Sequence, residues 1–234
     1  MNSESSRQTV IKPASPRDSA LVCFDDQQIL EGPRGTPLES FVEAAFPDRE
    51  PPIVAALVNG EIEELTYGVK EDLSVRVIDT SSNRGMRIYH RSVSFLLIAA
   101  VHELYPEAQV LIDHSVTLGG FYCQLEGIES PSEADVAALE WRMRQIVVAD
   151  EPILREQMAR DEARTLFAAQ GYEDKVRLLD GQDEQEITVY SLRGVRDSFY
   201  GLLAVRTGKL RWFSLELYAS GFILRLPSRQ RPTT

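Results

Sequence analysis

The stretch that most constrains the fold is a helical pattern at residues 92–104, where apolar side chains return every three or four positions. They cover a face too broad for a surface helix, so the pattern predicts a helix that other elements bury. Its longest nearly apolar run, residues 93–101, is far too short to cross a bilayer. The apolar face consists of Val93, Leu96, Leu97, Ala100, Val101 and Leu104.

The residues before this helix predict several strands around one short helix. Thr36, Pro37 and Glu39 are typical of a helix start, with threonine as the N-cap and proline at the first helical position. Asn59-Gly60 is a strong hairpin signal, because both turn residues must accept a positive φ. The order of hairpin, helix and further strands indicates a β-grasp, ubiquitin-like module. The predicted strands are residues 20–24, 28–30, 53–58 and 73–78.

The residues after the buried helix predict a second α+β region. Ser130 and Glu133 have the spacing of a capping box, and apolar residues from Val136 to Val147 follow on one helical face. A shorter helix is predicted at residues 161–170, and residues 175–226 are mostly strand. Two earlier strands are predicted at residues 109–112 and after the glycines at 119 and 120.

Residues 88–106 resemble the opening of the editing domain of threonyl-tRNA synthetases, an apolar helix followed by Leu-aromatic-Pro. Similarity to that domain continues in Gly120-Phe-Tyr, in residues 134–144 and in residues 161–175, and residues 55–62 resemble the TGS module that precedes it. The resemblance implies an α+β fold class: a TGS-like β-grasp module followed by a threonyl/alanyl-tRNA synthetase editing-like domain. We expect a flexible tail at residues 1–19, domains at 20–80 and 81–226, and a tail at 227–234.

The family's reactive residues form a His-x-x-x-His pair and a later Cys-x-x-x-His pair, which can hold a metal or position a water. The resemblance carries the first pair to Arg91 and Phe95, the cysteine to the vicinity of Leu192, and the last histidine to the vicinity of Arg196. None of these side chains is a zinc ligand or a general base at neutral pH. We therefore predict no catalytic and no metal-binding residue.

The same resemblance places a ligand cleft near the replaced positions. Arg91 and Arg196 together suit a phosphate or carboxylate group, with ion pairs to nearby acids as the alternative. His114 precedes the glycine turn where the family has its cleft, whereas His102 is predicted to be an exposed helix residue. The complete predicted cleft consists of His90, Arg91, His114, Tyr122, Arg193 and Arg196.

The charge distribution limits the partners. The chain of 234 residues has a net charge of −11, which disfavours non-specific nucleic-acid binding and argues against DNA as a partner. Residues 191–234 hold eight basic side chains and two acidic ones, so an RNA contact or a solvated sheet face is expected there. Cys23 and Cys123 predict two buried thiols, and the polar N-terminus is no signal peptide, so we expect a cytoplasmic protein without membrane contact.

Residues 85–97 and 218–227 also resemble the N-terminal region of bacterial uridine-kinase-like (phosphoribulokinase/uridine kinase family) proteins. This resemblance predicts a non-catalytic binding or regulatory region whose partner is its own C-terminal kinase domain. ATP and Mg²⁺ would belong to that kinase domain, and no cofactor is expected in this chain. The alternatives are a free-standing editing deacylase and a tRNA-binding adaptor, with a nucleotide or a tRNA 3′ end as candidate ligand.

Overall fold

The first sheet of the protein has the β-grasp arrangement. A computed structural model describes residues 17–115, 120–181 and 183–233. Five strands pair in the order β2-β1-β7-β4-β5, with β1 parallel to β7 and the other neighbours antiparallel. The elements are β1 (Ser19–Phe24), β2 (Ile29–Pro33), β3 (Thr36–Pro37), α1 (Leu38–Ala45), β4 (Ile53–Val58), β5 (Glu61–Glu63), β6 (Gly68–Val69) and β7 (Leu73–Asp79).

Helix α1 packs on this sheet but begins later than predicted. Thr36 does not cap it, because Thr36 and Pro37 pair as β3 with β6. The first helical amides instead donate to the chain before β6, from Leu38 to the carbonyl of Tyr67 and from Glu39 to that of Leu65 (both 2.8 Å). The Asn59-Gly60 turn has the positive φ values that the sequence predicts, 51° and 96°.

Helix α2 (Asn83–Leu104) is the central element of the second region, and it starts nine residues before the predicted apolar face. Ser82 caps it by accepting a hydrogen bond from the Gly85 amide at 3.0 Å. A Cβ at Gly85 would lie 1.9 Å from the carbonyl oxygen of Asp79, so the join between β7 and α2 requires glycine there. The face from Val93 to Val101 is buried as predicted, whereas Leu104 is 39% exposed.

A four-stranded antiparallel sheet and helix α3 both pack against α2. Its order is β13-β14-β9-β8. The predicted capping box is shifted by two residues, because Ser132 and Asp135, not Ser130 and Glu133, exchange the two capping hydrogen bonds. The elements are β8 (Gln109–Ser115), β9 (Phe121–Glu126), α3 (Glu133–Ala149), β13 (Ser214–Tyr218) and β14 (Gly221–Arg225).

A third sheet with two helices completes the fold. Strands pair in the order β10-β11-β12, and α4 and α5 pack on them around the buried Phe167 and Leu179. Residues 173–180 form a helix, so the prediction of mostly strand from residue 175 onward was wrong at its start. The elements are β10 (Leu154–Ala159), α4 (Arg160–Ala169), α5 (Glu173–Asp180), β11 (Glu186–Leu192) and β12 (Val195–Ser198), followed by a 3-10 turn at Thr207–Lys209.

The β-grasp part and the rest of the described chain share packed residues. Val54, Ala55 and Ile78 belong to the core around α2, and Val205 belongs to the core of the β-grasp sheet. The expected domain boundary at 80/81 lies in the short connection between β7 and α2, and the division into two domains stays a prediction.

The predictions for the chain termini and for the two cysteines agree with the structure only in part. Most of the expected N-terminal tail, residues 1–16, lies outside the described residues, and Ser19 already belongs to β1. In the expected C-terminal tail, Ser228 and Arg231 close a turn. Both cysteines are free thiols; Cys123 is buried and Cys23 only partly so.

Candidate functional site

His90 lies on α2 and is held away from solvent. Its Nε2 is 2.8 Å from the carbonyl oxygen of Pro227, and its ring meets the edge of Phe121 at a centroid distance of 6.1 Å. Burial lowers the pKa of His90, which the bond to Pro227 offsets only in part. The imidazole therefore links the segment at Pro227 to α2.

Arg91 uses its guanidinium on the protein backbone. Nε and Nη2 donate to the carbonyl oxygen of Leu202 at 3.2 and 3.0 Å. The group packs against Gly201, where φ is +100° and a Cβ would lie 3.1 Å from Nη2. Burial lowers the pKa of Arg91, although an arginine of this type stays protonated at neutral pH. The positively charged Arg91 side chain thus holds the 201–202 loop.

Phe95, at the second reactive position, is fully buried. Its ring meets the edge of Phe199 at a centroid distance of 5.3 Å, and Phe199 also contacts Tyr190 at 6.3 Å. Leu203 is 1% exposed in the same core cluster. Three apolar side chains and one arginine therefore occupy the space around the middle of α2.

The structure places the other two carried-over positions differently from the prediction. Leu192 is buried in the core, and Arg196 pairs with Glu156 on β10. The residues that meet Phe95 and Arg91 are on the 199–203 loop, and Phe199 and Leu203 have the same four-residue spacing as the family's Cys-x-x-x-His pair. Because Leu192 and Arg196 share that spacing, spacing alone could not choose between the two pairs.

Arg193 does not join Arg91 either. Its Nε donates to Glu103 at 2.5 Å, and its Nη1 pairs with Glu151. These ion pairs raise the pKa of Arg193 and lower that of Glu103. Arg193 and Arg196 both form ion pairs with nearby acids. A joint anion site of Arg91 and Arg196 remains a prediction.

Tyr122 and His114 lie on the four-stranded sheet. The Tyr122 hydroxyl is 3.1 Å from Ser220 Oγ, and its ring meets the edge of Tyr218 at 6.0 Å. His114 belongs to β8, but its side chain lies outside the described part of the structure. The predicted cleft residues whose contacts are described thus each contact different partners.

A cleft of about 550 Å³ opens between α2, β8 and the start of α5, and we call it the α2–β8–α5 cleft. Ile98 and His102 line it from α2, and Lys175, Asp197 and Phe199 lie along it from the other side. His102 is exposed, as predicted. Because Phe199 also contacts Phe95, the cleft lies close to the middle of α2.

Comparison with known proteins tests the resemblance of the sequence. No family model matches the chain. A threonine–tRNA ligase of Bacillus velezensis is 29% identical over 206 residues, which is 88% of this chain and 32% of that protein. That of Halorhodospira halophila is 33% identical over 170 residues, 72% of this chain and 26% of that protein.

The chain is similar to the N-terminal region of threonine–tRNA ligases. It spans about a third of the length of the relatives it matches. The similarity and the mixed α+β structure confirm the predicted fold class, a TGS-like arrangement followed by an editing-like one. The resemblance to threonyl-tRNA synthetases is therefore confirmed, whereas the relatives named here give no link to a uridine kinase.

Lys175 and Asp197 are the polar pair that sequence reasoning missed in this threonine–tRNA ligase-like cleft. Lys175 Nζ pairs with Asp197 Oδ1, which also accepts the Ser198 amide at 2.7 Å. Asp197 is 2% exposed, and burial raises the pKa of its carboxyl although Lys175 opposes this. Lys175 closes the stretch 161–175 that resembles the editing domain, so its position was the available signal.

The amine of Lys175 also lies over three aromatic rings. Its Nζ is 5.4 to 5.7 Å from the ring centroids of Phe167, Tyr172 and Phe199. Such contacts favour a cation electrostatically and hold the amine near the cleft. The site therefore combines an ion pair between Lys175 and Asp197 with neighbouring aromatic rings.

Two further findings bear on the chemistry and location of this threonine–tRNA ligase-like region. Within the described residues, no three histidine, cysteine, aspartate or glutamate side chains form a group that could hold a metal ion. The helices of the same residues include none that is both long and apolar enough to cross a membrane.

Proposed function

We propose that this chain is a tRNA-binding module derived from an editing region, which binds the 3′ end of tRNA without hydrolysing it. The observation that carries the proposal is the pair of contacts next to the α2–β8–α5 cleft, from Arg91 to the Leu202 carbonyl and from Phe95 to Phe199. A guanidinium and two phenyl rings offer neither a general base nor a metal ligand. Phe199 and Leu203, we infer, correspond to the cysteine and histidine of the family pattern.

The ligand class follows from the relatives. Threonine–tRNA ligases act on tRNA, as their name states, and an editing region receives the 3′ end of an aminoacylated tRNA. The size of the α2–β8–α5 cleft suits such an end, since ligand pockets are typically some 300–1,000 Å³. Exposed Arg177 lies on its rim, and no carboxylate of the described residues pairs with it, so it is the candidate phosphate contact.

Binding is expected of this module, and ester hydrolysis is not. A deacylase that uses His90 would need a free imidazole near the cleft. The His90 ring is instead bonded to Pro227 and packed on Phe121. A nucleoside-kinase parent, with its ATP and Mg²⁺, has no support among the relatives above and stays an untested prediction. A cytoplasmic location, where tRNA is found, belongs to the proposal.

The test measures binding and hydrolysis with the same substrate. Serine-charged tRNA specific for threonine is incubated with the chain; its ester lifetime is followed, and its binding is measured by gel shift. We expect binding, an unchanged ester lifetime, and weaker binding by Arg177→Gln. Arg34→Gln is the matched control, because Arg34 is an exposed arginine in the β2–β3 turn.

Two outcomes would contradict the proposal. Ester hydrolysis at ten or more times the uncatalysed rate would show a deacylase that uses residues other than the family's. Absence of binding at low salt would remove the binding role as well.

A further inference from the structure

A basic groove lies beside the N-terminal half of α2, whereas the α2–β8–α5 cleft lies beside its C-terminal half. It has a volume of about 580 Å³, and we call it the arginine groove, lined by Arg144, Arg211, Trp212, Arg225 and Arg231 among others. The Tyr89 hydroxyl accepts from the Trp212 amide at 2.7 Å, which fixes this groove to α2. Since a helix rises 1.5 Å per residue, Tyr89 and His102 of the cleft are about 20 Å apart along α2.

Two arginines of the groove are held in place. Arg144 donates to the carbonyls of Arg211 (3.1 Å) and Phe213 (2.5 Å), pairs with Glu140 at 2.9 Å, and lies over the Phe213 ring. Arg225 pairs with Glu216 at 2.6 Å. These two guanidiniums are thus fixed on the wall of the groove.

The other two arginines have unused hydrogen-bonding capacity. Arg211 is 65% exposed; it donates to the Gly208 carbonyl and reaches Glu50 only at 4.0 Å. Arg231 is exposed, and no carboxylate in the described part of the chain lies within ion-pair distance of it. No acidic residue is among the described residues that line the groove, although the chain carries a net charge of −11.

Because Glu140 and Glu216 pair with Arg144 and Arg225, the uncompensated positive charge of the groove lies on Arg211 and Arg231, and a bound anion would neutralise it. Guanidinium groups match phosphate oxygens with two parallel hydrogen bonds, so phosphate is the anion that this arrangement favours. Trp212 also lines the groove and is only partly buried against the core around α2, and aromatic side chains stack on nucleic-acid bases of any sequence. Phosphate and a stacked base together indicate a polynucleotide strand.

We propose that the arginine groove binds single-stranded RNA, with Arg211 and Arg231 on its phosphates and Trp212 stacked on a base. The identification of that RNA as a tRNA 3′ strand rests on the proposed function.

The test titrates the full chain with a short fluorescent single-stranded RNA that ends in CCA, at several salt concentrations. The variant Arg211→Gln/Arg231→Gln should bind on the order of tenfold more weakly, and its log–log salt slope should fall by about 1.4, or 0.7 per lost phosphate contact. Arg34→Gln again controls for lost charge and should bind like the wild type. Circular dichroism checks that each variant is folded.

A second readout follows Trp212 directly. Trp141 and Trp212 are the two tryptophans of the chain, so in a Trp141→Phe background the remaining fluorescence reports on the groove. RNA should quench it, and the arginine double variant should lose this quenching at the same RNA concentration. Unchanged fluorescence at saturating RNA would overturn the stacking role of Trp212.

The outcomes separate this proposal from the proposed function. Weaker binding by Arg177→Gln alone would overturn the groove and leave the cleft, whereas weaker binding by the groove variant alone would support the groove and count against the cleft. Competition by AMP or inorganic phosphate at concentrations as low as those of RNA would show a small-anion site and overturn the strand. Binding that does not respond to salt would overturn the phosphate contacts.

Discussion

Tyr89→Phe tests the contact that joins α2 to the arginine groove. The Tyr89 ring is fully buried, and its hydroxyl makes two hydrogen bonds with Trp212, donating to the carbonyl at 3.1 Å and accepting from the amide at 2.7 Å. Burial raises the pKa of Tyr89, so the hydroxyl stays protonated throughout the usual range. The substitution removes only the hydroxyl and keeps the packing of the ring.

The expected loss of stability follows from these two bonds. Each intramolecular hydrogen bond contributes about 0.5–1.5 kcal/mol net, so their removal should cost about 2 kcal/mol. In the variant, the amide and carbonyl of Trp212 lose their partner. Because Trp212 is partly buried, this adds to the cost unless water reaches the two groups. A loss of about 2 kcal/mol raises the unfolded-to-folded ratio roughly thirtyfold.

Urea unfolding measures this loss. With a denaturant slope of about 2 kcal/mol/M, the midpoint should fall by about 1 M. Tryptophan fluorescence and far-ultraviolet circular dichroism should be recorded together, because the β-grasp part and the rest of the chain could unfold in separate steps. Trp212 emission should also shift in the folded variant, since its backbone anchor is gone.

Tyr218→Phe is the matched control. Tyr218 is 55% exposed, and its hydroxyl has no hydrogen-bond partner among the described residues. We expect its midpoint to equal that of the wild type. If Tyr89→Phe lost less than about 0.5 kcal/mol, the two bonds to Trp212 would not contribute as the structure indicates.

Three further predictions concern α2. Phe95→Ala should cost about 3–5 kcal/mol in urea unfolding, because it empties a buried site and removes the ring contact with Phe199. Ser92→Ala should cost about 1–3 kcal/mol, because the buried Ser92 hydroxyl accepts the Ala204 amide at 2.7 Å and no other described group replaces it. His90 has a lowered pKa in the folded protein, so the unfolded chain binds more protons as pH falls through the ordinary value of 6.5, and stability should decrease there; His90→Gln should flatten this pH dependence in urea unfolding from pH 5 to 7.

Exposed positions provide the controls for these three. Val148→Ala should be neutral, because Val148 is 85% exposed, and so should Ser74→Ala, whose side chain is also exposed. His102→Gln is the matched histidine control for His90→Gln, because His102 is exposed. A loss below about 1 kcal/mol for Phe95→Ala would show that neighbouring side chains fill the cavity. Full stability of Ser92→Ala would show that another group replaces the hydrogen bond to the Ala204 amide. A pH dependence of stability that His90→Gln leaves unchanged would show that another group causes it.

Local patterns in the sequence account for much of the secondary structure. The apolar face of α2, the positive φ values of Asn59 and Gly60, and the buried face of α3 all depend on residues a few positions apart. Helix starts were less certain, because a serine or threonine side chain caps a helix only if the backbone leaves the neighbouring strand there. Thr36 stays in β3, and Ser132 rather than Ser130 meets the partner it needs.

Helix α5 shows where local information ends. It has eight residues, of which only Leu179 is buried, and isolated helices of that length are marginal in water. Its position depends on packing against the third sheet and on the pair between Lys175 and Asp197. Neither contact is encoded in the periodicity of residues 173–180.

The sequence by itself determined the fold class and the chemistry available at Arg91 and Phe95, because neither side chain is a metal ligand or a general base at neutral pH wherever it points. Only the tertiary structure decided what these two side chains contact. Arg91 donates to the carbonyl of Leu202, 111 positions later, and Phe95 contacts Phe199. The physical reason is that such contacts form between loops and helices distant in sequence, where packing selects one of several pairs with identical spacing.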